Sequence, residues 1–132
     1  MGAGAGVKVL VVEDYDDARE LYAEFLRFRG FEVLEARDGE QALAMVREHS
    51  PDVVVLDIAL PKLDGFSVLR ALRQDPRTAK TMVLTMSASV GPDYVDQALA
   101  SGATRVVVKP CLPDELVEAI QALVEARRTL AQ

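Results

Sequence analysis

Residues Val53-Val54-Val55-Leu56-Asp57 are the stretch from which the fold can be worked out. The first four residues are apolar and three of them are β-branched, which is typical of a strand covered on both faces, as in a parallel sheet. Burial of an ionised carboxylate in a core costs several kcal/mol or more, so we expect Asp57 at the point where the strand leaves the core. In open α/β sheets ligands bind outside the carboxyl ends of the strands. Asp57 is therefore the first candidate for a functional residue.

Five apolar, β-branched runs alternate with five helical patterns along the chain. The predicted strands are residues 7–12, 31–36, 53–57, 81–87 and 104–108. This alternation predicts an α/β fold, a doubly wound parallel sheet of five strands with five helices. The second strand is more polar than the others, which suits an edge of the sheet, so the predicted strand order is 2-1-3-4-5.

The first helical pattern begins near Ala18, directly after two acidic residues. Asp16 or Asp17 is the predicted N-cap, because a short acidic side chain can accept hydrogen bonds from the first free N–H groups of a helix. Arg19 falls on the polar face of this pattern. Tyr94, on the fourth helical pattern, is compatible with either an exposed or a half-buried position.

Length and composition indicate one globular domain of 132 residues with a net charge of −6. We expect a flexible lead-in at residues 1–6, the folded domain at residues 7–126 and the end of the last helix at residues 127–132. The negative charge argues against direct nucleic-acid binding, and no uninterrupted apolar run is long enough to cross a membrane. The single cysteine, Cys111, cannot form an internal disulfide, which fits a reducing compartment. We expect a cytoplasmic protein.

Polar side chains follow the ends of four predicted strands, and parallel strands place these ends along one edge of the sheet. The residues are Glu13, Asp14, Asp57, Ser87 and Lys109. Carboxylates about 4 Å apart repel by roughly 4 kcal/mol per pair at an effective dielectric constant near 20. A cation between them would relieve this repulsion, and an all-oxygen site favours Mg²⁺ over zinc.

These residue types together point to phosphoryl chemistry. Mg²⁺, a lysine ammonium and a hydroxyl can hold and neutralise the oxygens of a phosphoryl group, and a carboxylate can accept that group as an acyl phosphate. We therefore interpret Asp57 as the phosphoryl acceptor, with Glu13 and Asp14 as metal-holding residues. Lys109 would neutralise charge, and Ser87 would bind phosphoryl oxygens.

At these positions the sequence resembles a response-regulator receiver domain of two-component signalling, over about residues 7–126. Glu13-Asp14 resembles the acidic pair of that family, and residues 57–65 resemble its phosphorylation loop. Ser87-Ala88 is similar to its switch Ser/Thr followed by Ala, and Lys109-Pro110 is similar to its lysine with a cis-proline peptide. The resemblance implies a flavodoxin-like fold with the strand order given above.

The resemblance also implies ligands and partners. Mg²⁺ would be held by Asp14, Asp57 and the backbone carbonyl of Ala59, with Glu13 acting through water. A sensor histidine kinase or a phosphotransfer protein would donate the phosphoryl group. The protein would catalyse only its own phosphorylation and dephosphorylation. Phosphorylation would shift an equilibrium towards an active face formed by the fourth helix, fifth strand and final helix, which would contact a downstream protein or a fused output domain. A stand-alone receiver and a part of a longer regulator are both open.

One position departs from the family pattern. Receiver domains usually carry Tyr or Phe three residues before the lysine, and its ring moves inward with the switch hydroxyl. Here that switch position is Val106, which has no ring and is stiff about χ1. Ala59 and Ser89 occupy the positions that flank the acyl phosphate in similar proteins. Neither can orient an attacking water as a charged or amide side chain would, so we expect slow to moderate hydrolysis.

Two other classes of protein share some of these features. A phosphatase of the haloacid dehalogenase type also uses an Asp nucleophile, and Asp14-Tyr15-Asp16 imitates its Asp-x-Asp element, but Ala18 stands after Asp17 where that family has Thr. A pseudo-receiver would keep the fold and bind partners without being phosphorylated. Val106 favours this second alternative, whereas the complete set of acidic residues and lysine favours a phosphorylated receiver.

Overall fold

The structure is a computed structural model that describes residues 4–88 and 92–131. Strands and helices alternate strictly within these residues. The strands are β1 (Lys8–Val12), β2 (Glu32–Ala36), β3 (Val53–Asp57), β4 (Met82–Ser87) and β5 (Arg105–Val108). The helices are α1 (Asp16–Phe28), α2 (Gly39–His49), α3 (Gly65–Gln74), α4 (Pro92–Ser101) and α5 (Pro113–Ala131).

The strands form one parallel sheet in the order β2-β1-β3-β4-β5. This confirms the predicted α/β fold and strand order. Every residue of β3 is buried, whereas the edge strand β2 begins with the exposed Glu32. The polarity of β2 therefore reports its position correctly, since an edge strand has only one neighbour and more contact with solvent.

Apolar side chains on both faces of the sheet form two separate clusters. Val9, Val11, Val53 and Val55 pack with residues of α1 and α5 on one face. Leu10, Val12, Val54 and Leu56 pack with residues of α2, α3 and α4 on the other face. Successive residues of a strand point to opposite faces, so β1 and β3 must be apolar at every position to supply both clusters.

The N-cap of α1 differs from the prediction. Tyr15 is the N-cap, with extended backbone and no hydrogen bond from its side chain to the helix, and Asp16 and Asp17 lie within the first turn. The Asp16 carboxylate instead accepts a hydrogen bond from Arg19 Nη2 at 2.7 Å. An acid in the first turn still interacts favourably with the helix dipole, so the helix begins here without a side-chain cap.

The N-terminal end of the described chain is bonded to the domain. Gly4 donates its N–H to the carbonyl of Arg29 at 3.0 Å, and its carbonyl accepts from the N–H of Val7 at 2.9 Å. α5 continues to Ala131. Among the helices of the described residues, none is both long and apolar enough to cross a membrane.

Candidate functional site

The carboxyl edge of the sheet brings together the side chains that the sequence analysis selected. Asp57 and Ser87 are the last residues of β3 and β4, and Lys109 directly follows β5. Backbone hydrogen bonds hold the strand ends level: Lys109 N–H donates to the Ser87 carbonyl at 2.8 Å, and Ile58 N–H donates to the Met86 carbonyl at 3.0 Å. The five predicted side chains therefore lie along one edge because the strands are parallel and in register.

Lys109 connects two of the buried acids. Its Nζ lies 2.9 Å from Asp57 Oδ2 and 3.1 Å from Glu13 Oε1. Burial alone lowers the pKa of this ammonium, but hydrogen bonds and charge attraction with Asp57 and Glu13 outweigh burial and raise the pKa. Lys109 is therefore a fixed positive charge at the centre of the site.

The acidic residues form a cluster with room for a cation. Glu13 is 3% exposed and Asp57 is 5% exposed, and Asp14 is exposed to solvent. One carboxylate oxygen from each of the three lies within 4.8 Å of the others. Burial, followed by the neighbouring carboxylate of Asp57, raises the pKa of Glu13 to about 7.

One atom of this cluster has no partner within residues 4–88 and 92–131. In this part of the chain Glu13 Oε2 is buried and accepts no hydrogen bond. An unpaired buried carboxylate oxygen is costly, so its position beside two other acids fits a site for a cation. All the donors are oxygens, which Mg²⁺ prefers. The residues present thus fit the metal that the sequence analysis predicted.

The loop that follows Asp57 is held close to the acid. Asp57 Oδ1 accepts a hydrogen bond from the N–H of Ala59 at 3.0 Å, and the N–H of Gly65 donates to the carbonyl of Ile58 at 3.0 Å. A Cβ atom at Gly65 would lie 2.6 Å from Ile58 Cα, so only glycine allows α3 to begin this close to the end of β3. This approach closes the loop beside Asp57.

Ser87 and Val106 lie on neighbouring strands, and Val106 is two residues further from the carboxyl edge of the sheet. Ser87 is buried at the end of β4. Val106 pairs with Thr85 across the β4–β5 ladder and packs against the same apolar cluster that contains Tyr94. Ser89, the other residue predicted to flank the acyl phosphate, lies outside the described residues.

Tyr94 is buried, with 6% of its surface exposed, so neither position considered in the sequence analysis is correct. Its hydroxyl lies 3.2 Å from Thr85 Oγ1 and donates to the carbonyl of Val107 at 3.1 Å. Burial, which outweighs the hydrogen bond with Thr85, raises the pKa of this phenol. An aromatic side chain from α4 thus occupies the space beside Val106, and the apolar periodicity of α4 was the only sequence signal for it.

Two residues near the site were missed because hydropathy does not reveal their contacts. Arg19, predicted on the polar face of α1, is buried, and its guanidinium donates to the carbonyl of Glu13 at 3.1 Å. Tyr22 donates its hydroxyl to the carbonyl of Cys111 at 2.9 Å, two residues after Lys109. The peptide bond between Lys109 and Pro110 is cis, as the resemblance implied.

Comparison with known proteins gives concordant matches. The sequence profile of the response regulator receiver domain matches residues 9–121. The transcriptional regulatory protein PrrA of Mycobacterium tuberculosis is 41% identical over 124 residues, which are 94% of this chain and 52% of that protein. The chain therefore spans about half the length of this curated relative.

Shorter relatives match over most of their length. The chemotaxis protein CheY of Bacillus subtilis is 36% identical over 114 residues, which are 86% of this chain and 93% of CheY. The structure of the Vibrio cholerae chemotaxis protein CheY4 superposes with a TM-score of 0.85 at 32% identity, covering 90% of this chain and 99% of that one. By profile, sequence and fold, the chain belongs to the family of response regulator receiver domains of two-component systems.

Proposed function

We propose that this receiver domain accepts a phosphoryl group on Asp57 in a Mg²⁺-dependent reaction. The observation that carries the proposal is the surroundings of Asp57: a buried carboxylate bound to Lys109 at 2.9 Å and clustered with Glu13 and Asp14. A merely structural acid would be paired once and shielded from other acids. Here two further carboxylates converge on it, at an energetic cost that a bound cation offsets.

Glu13, Asp14, Asp57 and the backbone carbonyl of Ala59 are the proposed metal-holding groups. Receiver domains bind Mg²⁺ at an acidic site, and the unpaired oxygen of Glu13 supports such a site in this chain. When bound, Mg²⁺ would neutralise phosphoryl oxygens and relieve the repulsion among the acids. Glu13 is the group best placed to release a proton when the cation binds, since its pKa is about 7.

The remaining steps use groups of the chain itself. A carboxylate oxygen of Asp57 attacks the phosphorus of a phosphohistidine, the P–O bond forms as the P–N bond breaks, and the imidazole nitrogen keeps the electron pair and takes up a proton. Lys109 offsets the negative charge of the transferred group. Ser87, at the end of the adjacent strand, is the proposed hydroxyl that binds a phosphoryl oxygen and acts with Val106 in the switch.

Receiver domains interact with histidine kinases and output domains. We infer the same partners for this chain: a sensor histidine kinase or phosphotransfer protein as donor, and a downstream protein or fused output domain as target. The match to half of a transcriptional regulator supports a fused output domain, and the match to nearly all of CheY supports a separate target. The proposed contact face comprises α4, β5 and α5.

Intact-mass measurement after incubation with Mg²⁺ and acetyl phosphate tests the proposal. We expect the mass of one phosphoryl group on the wild type, no gain for Asp57→Asn, and no gain with a chelator present. Asp64→Asn is the matched control, because Asp64 lies on the same loop but caps α3 by accepting from the N–H of Ser67 at 3.1 Å. It should be phosphorylated like the wild type.

The same assay tests the pseudo-receiver alternative, and a separate assay of phosphate-ester turnover tests the phosphatase alternative. A pseudo-receiver, which Val106 favours, would show no mass gain although folded, with either acetyl phosphate or a phosphohistidine donor. A phosphatase would turn over a phosphate ester continuously. The Asp16 carboxylate argues against the phosphatase, because Arg19 binds it at 2.7 Å and so holds it in an ion pair.

A further inference from the structure

Arg19 is buried on α1, with 5% of its surface exposed, close to the acidic cluster. Its guanidinium donates to three acceptors: Asp16 Oδ1 at 2.7 Å, the carbonyl of Glu13 at 3.1 Å and Glu35 Oε1 at 3.2 Å. Burial of a guanidinium is costly unless each side of it is paired. Solubility does not explain why this guanidinium is buried, since a charge that serves solubility lies on the surface.

The contact with Arg19 means that both backbone polar groups of Glu13 are hydrogen-bonded. The N–H of Glu13 donates to the carbonyl of Ala36 on β2 at 3.0 Å, and the carbonyl of Glu13 accepts from Arg19 Nη1. Both backbone polar groups that flank the Glu13 side chain are thus held, one by the sheet and one by α1. The next residue along this backbone is Asp14.

Joining α1 to β2 does not by itself require a buried arginine. Arg27, two turns further along α1, also binds Glu35, at 3.1 Å, and donates to the carbonyl of Val33 at 3.1 Å. Arg27 is exposed, and its side-chain hydrogen bonds within the described part of the chain go to β2. Arg19 differs from Arg27 in its burial, in its ion pair with Asp16 and in its bond to the backbone of the acidic pair, and only this last contact reaches the metal-holding residues directly.

We propose that Arg19 is a positioning residue for the metal site. It acts through the carbonyl of Glu13 and orients the carboxylates of Glu13 and Asp14. This inference rests on the proposed Mg²⁺ binding. Groups that orient metal ligands from outside the coordination sphere typically change metal affinity by roughly 10–100-fold when removed.

Calorimetric titration of the full chain with Mg²⁺ is the test, and Arg27→Met is the matched control. Both Arg19→Met and Arg27→Met remove one ion pair to Glu35, and Arg19→Met also removes the ion pair to Asp16, for which Asp16→Asn is the control. We expect Arg19→Met to weaken Mg²⁺ binding about 10-fold or more and Arg27→Met to leave it within about twofold. Glu35→Gln should also retain affinity, because Arg19 can still bind the Glu13 carbonyl.

Two further readouts separate positioning from a general loss of stability. In metal-free protein, amide exchange at residues 13–16 should accelerate in Arg19→Met and not in Arg27→Met. The phosphorylation rate of Arg19→Met should recover at saturating Mg²⁺, so that the variant changes the Mg²⁺ concentration at half-maximal rate more than the maximal rate. A purely structural role would lower the free energy of unfolding and leave the Mg²⁺ affinity of the folded protein unchanged.

If Arg19→Met does not fold, Arg19→Lys takes its place, since a lysine cannot bind Glu13, Asp16 and Glu35 with the same planar group. Wild-type Mg²⁺ affinity in a folded Arg19 variant would overturn the inference while leaving the proposed function intact. Absence of Mg²⁺ binding by the wild type would overturn both.

Discussion

The pKa of the Glu13 carboxyl is raised from 4.5 to about 7. Between these two values the folded protein binds more protons than the unfolded chain, so the contribution of Glu13 to stability falls as pH rises. The cause is burial beside Asp57, and the hydrogen bond and charge of Lys109 offset it only in part. Without a metal, the ionised Glu13 carboxylate therefore destabilises the folded protein above neutral pH.

Glu13→Gln should stabilise the metal-free protein at about pH 8 by about 1–2 kcal/mol, because one pKa unit corresponds to about 1.4 kcal/mol and screening reduces the effect. Urea unfolding with a chelator at about pH 5 and about pH 8 measures this difference. The gain should be smaller at the lower pH, where the wild-type acid is mostly protonated. Glu20→Gln, on the exposed side of α1, is the control and should show no such dependence. An equal effect of both substitutions at both pH values would contradict the electrostatic explanation.

Most side chains of the candidate site could be predicted from the sequence. Asp57, Ser87 and Lys109 each follow an apolar strand, and parallel strands necessarily bring such ends together. Arg19 could not be found in this way. Its burial depends on a carboxylate from β2 and a backbone carbonyl from the end of β1, and neither contact leaves a trace in hydrophobic periodicity.

At the level of elements, α4 is joined to the sheet through Tyr94. Its hydroxyl contacts Thr85 on β4 and the carbonyl of Val107 on β5, so one side chain connects three elements. Thr85 pairs with Val106 across the β4–β5 ladder, and Val107 directly follows Val106. The aromatic group beside β5 is therefore supplied by the neighbouring helix.

Tyr94→Phe removes only this hydroxyl and should destabilise the protein by about 1–2 kcal/mol, the cost of leaving buried polar groups without a partner. Amide exchange in α4 should accelerate more than in α2. Chemical unfolding and hydrogen-exchange mass spectrometry measure the two effects. Tyr15→Phe is the control, since Tyr15 is 64% exposed. Unchanged exchange in α4 would indicate that apolar packing alone holds the helix.

Prediction of the elements succeeded where one local signal dominated and failed where two signals competed. The polarity of β2 correctly placed it at the edge. The N-cap of α1 was placed wrongly because Asp16, a favourable capping residue, binds Arg19 instead. In α2 and α3, Asp38 and Asp64 cap by accepting from the N–H groups of Gln41 and Ser67. Asp38 does so although its other oxygen lies 3.5 Å from Lys62 Nζ.

Arg73 connects several segments at the end of the sheet opposite the site. Its Nε donates to the carbonyl of Gly102 at 2.9 Å, and its Nη1 donates to the carbonyls of Ala79 at 3.0 Å and Thr81 at 2.6 Å. One guanidinium on α3 thereby ties the segments that lead into β4 and β5. These contacts stabilise the end of the sheet that lies away from the site.

Arg73→Met should therefore destabilise the protein by about 2–4 kcal/mol, because three partly buried carbonyls lose their donor. The phosphorylation rate of the folded protein should stay within about twofold of the wild type. Urea unfolding and acetyl phosphate labelling measure the two properties. Arg70→Met, one turn earlier and exposed, should change neither. A large loss of phosphorylation in folded Arg73→Met would mean that the two ends are coupled.

The overall topology was predictable because the alternation of strands and helices, right-handed crossovers and one polar edge strand leave few arrangements. The contacts of Arg73 were not predictable. They join backbone carbonyls of loops whose relative positions exist only in the folded chain.

We propose that Asp57, and not a neighbouring acid, takes the phosphoryl group. Borohydride reduction of the freshly phosphorylated protein converts a phosphorylated aspartate to homoserine, and fragment mass spectrometry then locates the converted residue. We predict homoserine at position 57 alone, and none when Mg²⁺ is removed before the donor is added. Homoserine at position 14 or 64 would contradict phosphorylation of Asp57. So would the absence of homoserine in a protein that has gained one phosphoryl mass.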